Sequence, residues 1–406
     1  MTAASADQAV ADWLDEHRDG LVAFRRNLHA HPELSGEEHA TTELVRERLA
    51  VAGLDSRVLA SGTGLVCDLD PPAGIGSSGD RFALRADLDA LAMDDDKDVP
   101  YRSQTAGVAH ACGHDVHTSI TLGAALFFAQ HPDQIPGPLR FIFQPAEERV
   151  PGGALDVIAD GGIEGIGGIV GLHCDPKLDV GKIGLKAGPI SSAADMAEIA
   201  LTGPGGHTAR PELTADLVTI AATIVTELPI RVREALESPD DVKMVFGSIH
   251  AGDAANVIPA HCTLRASVRT PSLDVWESLP DLVDGTLRDV LRDTGAEHDL
   301  VYTHGVPPVS NDPAIISVVE AAAKAELGDD AVTPAIQSWG GDDFAWFTRR
   351  IPGAYIRLGV HDPTSPNGQL DLHAGHFDVD EGSIGIGVRL LTAVTRSYFA
   401  GLAHPS

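Results

Sequence analysis

The sequence predicts an α/β protein, a mostly parallel sheet between helices, with a smaller α+β domain inserted into it. Three observations predict it. Short apolar runs that read as strands alternate with helical stretches as far as residue 189, the pattern of a parallel sheet covered by helices. Metal-binding and acidic residues gather just after those runs, where open α/β sheets carry their chemistry. Between residues 190 and 302 the order becomes β-α-β-β-α-β, which is ferredoxin-like. At 406 residues the chain exceeds one ordinary core, so two domains are expected.

Taken in order, residues 8–52 keep helical spacing, marked by Trp13, Leu21, Phe24, Leu28, Leu44 and Leu49. Strands are expected near Leu65–Leu69 and Phe82–Ala86, separated by a Gly/Ser/Pro loop at 71–80. Val116, Ile120, Ala124, Phe127 and Phe128 keep a helical period up to Gln130. Runs at 139–143 and 168–172 are the next strands. The inserted part reads as a strand Asp195–Leu201, a helix Thr214–Val232 and a strand Lys243–Ile249. Cys262, Leu264, Ala266 and Val268 then alternate as a strand should, followed by a helix at 274–292 and a strand at 298–303.

The residues that carry chemistry are Cys112-Gly113-His114-Asp115, Glu147-Glu148, His173 and His373. Thiolate, imidazole and carboxylate together suit Zn²⁺ or a similar transition metal. Phe141-Ile142-Phe143 runs into Gln144-Pro145-Ala146-Glu147-Glu148, and Gly168–Leu172 runs directly into His173, which places it at a strand end. Two neighbouring carboxylates are costly to ionise together without a cation, so one glutamate is expected to bind metal while the other moves protons. Because His373 lies beyond the insertion, the larger domain is discontinuous: 1–189 with 303–406, and 190–302 as the satellite. A ligating histidine usually donates its other ring N–H to a carboxylate, and Asp87 and Asp115 are the candidates. Asp94-Asp95-Asp96 reads as a solvated acidic loop, and Cys174, His29, His31, His361 and His376 as structural residues.

Composition narrows the class. The net charge of −30, from 59 acidic and 29 basic residues, repels phosphate backbones and anionic lipids, so neither nucleic acid nor membrane is an expected partner. No apolar run approaches the roughly 18 residues of a membrane span, and Met1–Asp7 lack the features of a secretory signal. Four scattered cysteines do not make a disulfide framework, and a reducing cytoplasm is the expected location.

Six motifs occur in one order: His29-Ala30-His31-Pro32-Glu33-Leu34-Ser35, Ala83–Leu91, His110–Asp115, Gln144–Glu148, Gly205-Gly206-His207 and Asn256-Val257-Ile258-Pro259. Together they resemble the binuclear-metal amidohydrolases of the aminoacylase/carboxypeptidase family. That family includes hippurate hydrolases, auxin-conjugate hydrolases and N-acyl-amino-acid hydrolases. The resemblance implies a zinc-peptidase-like catalytic domain and a satellite that acts as a lid and often makes the contact of a homodimer or larger homo-oligomer. It implies two divalent ions per subunit (Zn, Mn or Co) on Cys112, His114, Glu148, His173 and His373, with Cys112 bridging. Glu147 would be the general base, His207 would polarise the scissile carbonyl, and Asn256 with Arg269 would hold a free carboxylate. The implied substrate is an N-acyl amino acid or a similar small amide. An N-acetyl-diaminopimelate deacetylase or a dipeptidase on the same fold is the alternative, followed by a silent binding protein, against which Glu147 argues.

Overall fold

The computed structural model describes residues 3–74, 79–365 and 368–403. Residues 75–78 of the loop expected at 71–80, and Met1 and Thr2 of the expected signal-free start, lie outside those described. The chain divides into two compact units. The first comprises residues 1–190, 310–336 and 343–406, and the second comprises 191–309 and 337–342. The second therefore extends past residue 302, because its last strand runs on to Val306.

The first unit holds an eight-stranded sheet. Its middle strands, Leu139–Gln144, Arg81–Asp87, Ile166–Asp179 and Gly353–His361, are mutually parallel neighbours in that order. Leu65–Leu69 and Ser56–Val58 extend one side through antiparallel pairings; on the other, Ile183–Leu185 pairs antiparallel with Gly353–His361 and Val332–Pro334 parallel with Ile183–Leu185. The helical spacing across 8–52 resolves into two helices, Ala3–Ala30 and His39–Val51. Helices His114–Gln130, Pro313–Leu327 and Gly382–Ala403 also cover the sheet. The central strands bury nearly every side chain, as Phe82, Leu84, Phe141, Phe143, Val170 and Ile356 show. Strands covered on both faces require this near-continuous apolarity. The helix at 114–130 and the one at 382–403 approach closely through Gly387, where a Cβ would stand 2.4 Å from Ile120.

The second unit is a four-stranded antiparallel sheet with two helices. Its strands are Ala194–Thr202, Lys243–Ala251, His261–Arg269 and Glu297–Val306. In space the fourth lies beside the first, then come the third and the second, which is the ferredoxin-like arrangement. Cys262, Leu264, Ala266 and Val268 point into its core with Leu217, Ile224, Leu279 and Val283 from the helices. Each helix starts at a side-chain cap, Asp216 accepting from the Thr219 N–H and Ser272 from the Val275 N–H. Past Thr202 and His261 the first and third strands pair again as Gly206–His207 with Val257–Ile258.

Candidate metal centre

The helix at 114–130 begins with His114, and its cap Gly113 has φ +93°. A Cβ there would lie 2.7 Å from Cys174 Sγ, so only glycine lets the turn pass this close to the neighbouring strand. That turn sets Cys112 and His114 beside the ends of the strands at 81–87 and 139–144. His114 Nδ1 donates to the Asp89 carbonyl at 2.9 Å, which leaves the Nε2 lone pair facing outward from that bond. Nε2 is buried and has no hydrogen-bond partner among the described residues. It stands 3.8 Å from Asp87, Glu147 and Glu148 carboxylate oxygens. His173 Nδ1 likewise donates to the Cys174 carbonyl at 2.7 Å, and its Nε2 sits 3.4 Å from Cys112 Sγ. His373 Nε2 approaches Glu148 Oε1 to 3.4 Å, and that oxygen too is buried and has no hydrogen-bond partner among the described residues.

Ligand-type atoms of Cys112, His114 and Glu148 fall within 4.8 Å of one another, as do those of Asp87, His114 and His117. A buried imidazole lone pair and a buried carboxylate oxygen, both unmatched and beside a thiol, are costly in a cation's absence. The donor set therefore fits a divalent metal. Electrostatics agree. Burial, reinforced by Glu148, pushes the Cys112 thiol well above its ordinary range, so it becomes a thiolate only when a cation displaces the proton. Burial alone would lower His114, but Asp87, Cys112 and Asp89 outweigh it and hold it raised. Burial, then Arg357, lowers His173, while the Glu148 carboxylate raises His373.

The two glutamates are positioned by a residue that sequence reasoning passed over. Asp89, fully buried, accepts the Glu147 N–H at 3.0 Å and the Glu148 N–H at 2.9 Å on its two oxygens. The Ser35 hydroxyl donates to it at 2.6 Å. The signal was present in Ala83–Leu91, where Asp89 follows Asp87 on the same side of an extended chain. On either side of the centre, Ala146 and His373 hold φ of 53° and 56°, strained values for residues with a Cβ. The Ala146 N–H donates to Glu38 at 2.8 Å and the His373 N–H to the Ala111 carbonyl at 2.8 Å, which keeps both turns in place. Asp343 is the other organiser: it accepts from the Gln144 amide, Arg85 and the Ala154 N–H while completely buried.

Other expectations are corrected. His173 lies inside the strand Ile166–Asp179, opposite Arg357; the neighbouring strand at 81–87 is the one that stops at that level. Asp87 accepts from His117 at 2.7 Å and pairs with Arg85, and His117 Nε2 in turn accepts the Cys174 N–H. Asp115 serves none of the three site histidines. It pairs with Arg25 at 2.7 Å and His29 at 2.7 Å, because the first helical turn points it away from His114. Asp95 is not solvated: it is buried, 3.0 Å from Lys97 Nζ and bonded to the Ser103 N–H.

In the second unit, His207 Nδ1 accepts the Ala209 N–H at 3.0 Å, so a neutral ring carries its proton on Nε2. Asn256 is adjacent, its carbonyl accepting the Thr208 N–H. Arg269 ends the strand that starts at His261 and donates to Ser267 Oγ and the Trp339 carbonyl, each at 3.2 Å. Val268 pairs with Asp195 and Val257 with His207, eleven residues apart on one strand direction. The two pairings belong to separate sheets, with Pro259 and Ala260 between them outside any strand.

A family profile described as peptidase family M20/M25/M40 matches residues 83–397. The chain belongs to this family. It is an enzyme of the amide-hydrolysing kind. It is 43% identical over 94% of its length to a putative glutamate–cysteine ligase 2-3 of Rhodococcus jostii, of which it spans only 47%. It is 35% identical to the N-acetyl-L-cysteine deacetylase of Bacillus subtilis, covering 90% of this chain and 84% of the relative. Among solved structures, the YXEP protein of Bacillus subtilis, described as a dinuclear metal binding peptidase, is similar with a TM-score of 0.83 and 29% identity. That match covers 95% of this chain and 99% of the other. Among the described residues no helix is long and apolar enough to cross a membrane.

Proposed function

We propose that the protein hydrolyses the amide bond of N-acyl amino acids, with two divalent metal ions held by Cys112, His114, Glu148, His173 and His373. One observation supports this most directly: the unmatched His114 Nε2 and Glu148 Oε1 converge beside a thiol and a second glutamate. The deacetylase named for N-acetyl-L-cysteine supports the substrate class. When bound, such ions lower the pKa of a water and polarise the amide carbonyl; Zn, Mn and Co all suit the donor set.

The remaining work belongs to the chain. Glu147 takes the attacking water's proton and delivers it to the leaving amine nitrogen, while its backbone N–H stays fixed on Asp89. His207 donates its Nε2–H to the developing oxyanion, in the tautomer set by the Ala209 N–H. Asn256 stands beside His207, and Arg269 reads the free carboxylate with the forked donors of its guanidinium. Asn256 borders the small separate sheet that carries His207 whereas Arg269 ends a strand of the four-stranded sheet, which supports a site shared between two subunits. A homodimer is the simplest assembly that does so. The anionic surface leaves nucleic acid and membranes outside the set of partners, and the chain works in the cytoplasm.

The test combines a substrate panel with two variants. N-acetyl, N-benzoyl and indoleacetyl amino acids should be hydrolysed, chelation should abolish turnover, and added Zn²⁺, Mn²⁺ or Co²⁺ should restore it. Glu147→Gln should lower kcat by about 10²–10⁴-fold with metal content unchanged, whereas Glu148→Ala should lose metal. Full turnover in protein shown by elemental analysis to be metal-free refutes the mechanism.

A further inference from the structure

Arg269 does not stand alone. Lys243 is directly opposite it across the antiparallel pair, so both side chains share one face of the satellite sheet. That face is the open one: Met244 and Val268, their chain neighbours, are the residues that enter the core. Both cations lean on one residue. The Lys243 ammonium lies 3.9 Å from the centroid of the Trp339 ring, and Arg269 donates to the Trp339 carbonyl. Among the described residues neither cation is paired with a carboxylate, although the chain carries 59 acidic residues against 29 basic ones. Like charges directly opposite each other on a sheet destabilise it. Stacking on an indole face offsets part of that cost for the lysine. A bound anion would offset the rest.

We propose that Lys243 and Arg269 form a two-cation site that selects substrates with two carboxylates on the amino-acid side, N-acyl aspartates and N-acyl glutamates. The inference rests on the proposed reading of Arg269 as the α-carboxylate residue. Residues opposite each other in an antiparallel pair have their Cβ atoms about 5 Å apart. Side chains that start from paired positions and both reach Trp339 suit carboxylates separated by a few bonds, as in aspartate and glutamate. A second carboxylate at the far end of the acyl group lies across the scissile bond and does not match. Lys243 is thus a specificity-determining residue, and its ammonium takes the side-chain carboxylate while Arg269 keeps the α-carboxylate.

The experiment compares kcat/KM for N-acetyl-L-aspartate and N-acetyl-L-glutamate with the asparagine and glutamine analogues and with N-succinyl-L-alanine. The acidic pair should be preferred by about tenfold, the size of one charge-assisted contact. The preference should reside in KM and shrink as salt is raised. Lys243→Gln should bring acidic and amide substrates to parity, and Lys243→Arg should restore the preference. Equal rates on glutamate and glutamine substrates in the unaltered protein would overturn the proposal, as would an equal loss on every substrate in Lys243→Gln. A preference for the succinyl substrate that vanishes in Lys243→Gln would overturn the assignment to the amino-acid side. Calorimetric binding of N-acetyl-L-glutamate and N-acetyl-L-glutamine to Glu147→Gln separates the two layers of argument. Tighter binding of the glutamate compound without hydrolysis by the unaltered protein would refute the hydrolase reading alone.

Discussion

Replacing Asp89 by asparagine tests how the centre is built. The carboxylate is fully buried and accepts the backbone N–H groups of both glutamates, one per oxygen, together with the Ser35 hydroxyl. Burial pushes its pKa upward, but His114, Ser35 and the Glu148 N–H outweigh it and keep the group ionised. Asparagine offers one oxygen and one NH₂, so whichever way it turns, one backbone N–H faces another donor. Losing a charge-assisted bond costs about 1.5–3 kcal/mol, and the orphaned N–H about 1–3 kcal/mol more. The sum, on the order of 2.5–6 kcal/mol, is a large part of a domain's stability. Urea unfolding, metal content and kcat/KM should all be measured. The variant should unfold at clearly lower urea, bind metal more weakly and lose at least about 10²-fold in kcat/KM, since a displacement of 1 Å in a catalytic group costs that much. Ser35→Ala, which removes one neutral donor, should cost only about 1 kcal/mol and keep its turnover. An Asp89→Asn protein with unchanged metal content and full turnover would show that Glu147 and Glu148 are positioned by something else.

Two further outcomes are expected. Burial, tempered by the N–H groups of Gly36 and Ala146, raises the Glu38 pKa above its ordinary value. The folded state therefore holds that proton more tightly than the unfolded chain, and the stability it contributes is present below the ordinary glutamate range and lost as pH rises through the raised value. Glu38→Gln lacks this dependence, so its unfolding free energy relative to the unaltered protein should increase from pH 4 towards neutrality; a pH-independent difference would contradict the assignment. For subunit complementation, inactive His207→Ala chains mixed and reassembled with inactive Glu147→Gln chains should recover about one quarter of the unaltered activity, because half the dimers are mixed and each has one intact site. No recovery, with mixed dimers demonstrated by mass spectrometry, would place His207 in its own subunit's site.

The sequence by itself determined the sheet-forming runs, the β-α-β-β-α-β order of the second unit and the donor types of the centre. Each is a local pattern: Cys262 to Val268 alternate because a strand has two faces, and Gln144–Glu148 follows an apolar strand on which it depends. The central strand Gly353–His361 went unread, although Ala354-Tyr355-Ile356 and Leu358 form an apolar run, since a short run of this kind does not distinguish strand from buried helix. Only the tertiary structure decided the pairings of charged groups. Asp89, Asp87 and Asp115 are alike in sequence, yet one holds the glutamates, one joins His117 and Arg85, and one neutralises Arg25 beneath the first helix. Which buried carboxylate meets which donor depends on contacts between residues far apart in the chain, 90 positions for Arg25 and Asp115 and 258 for Arg85 and Asp343. The same holds for Arg269: its residue type suggests a carboxylate, but only strand register sets Lys243 beside it.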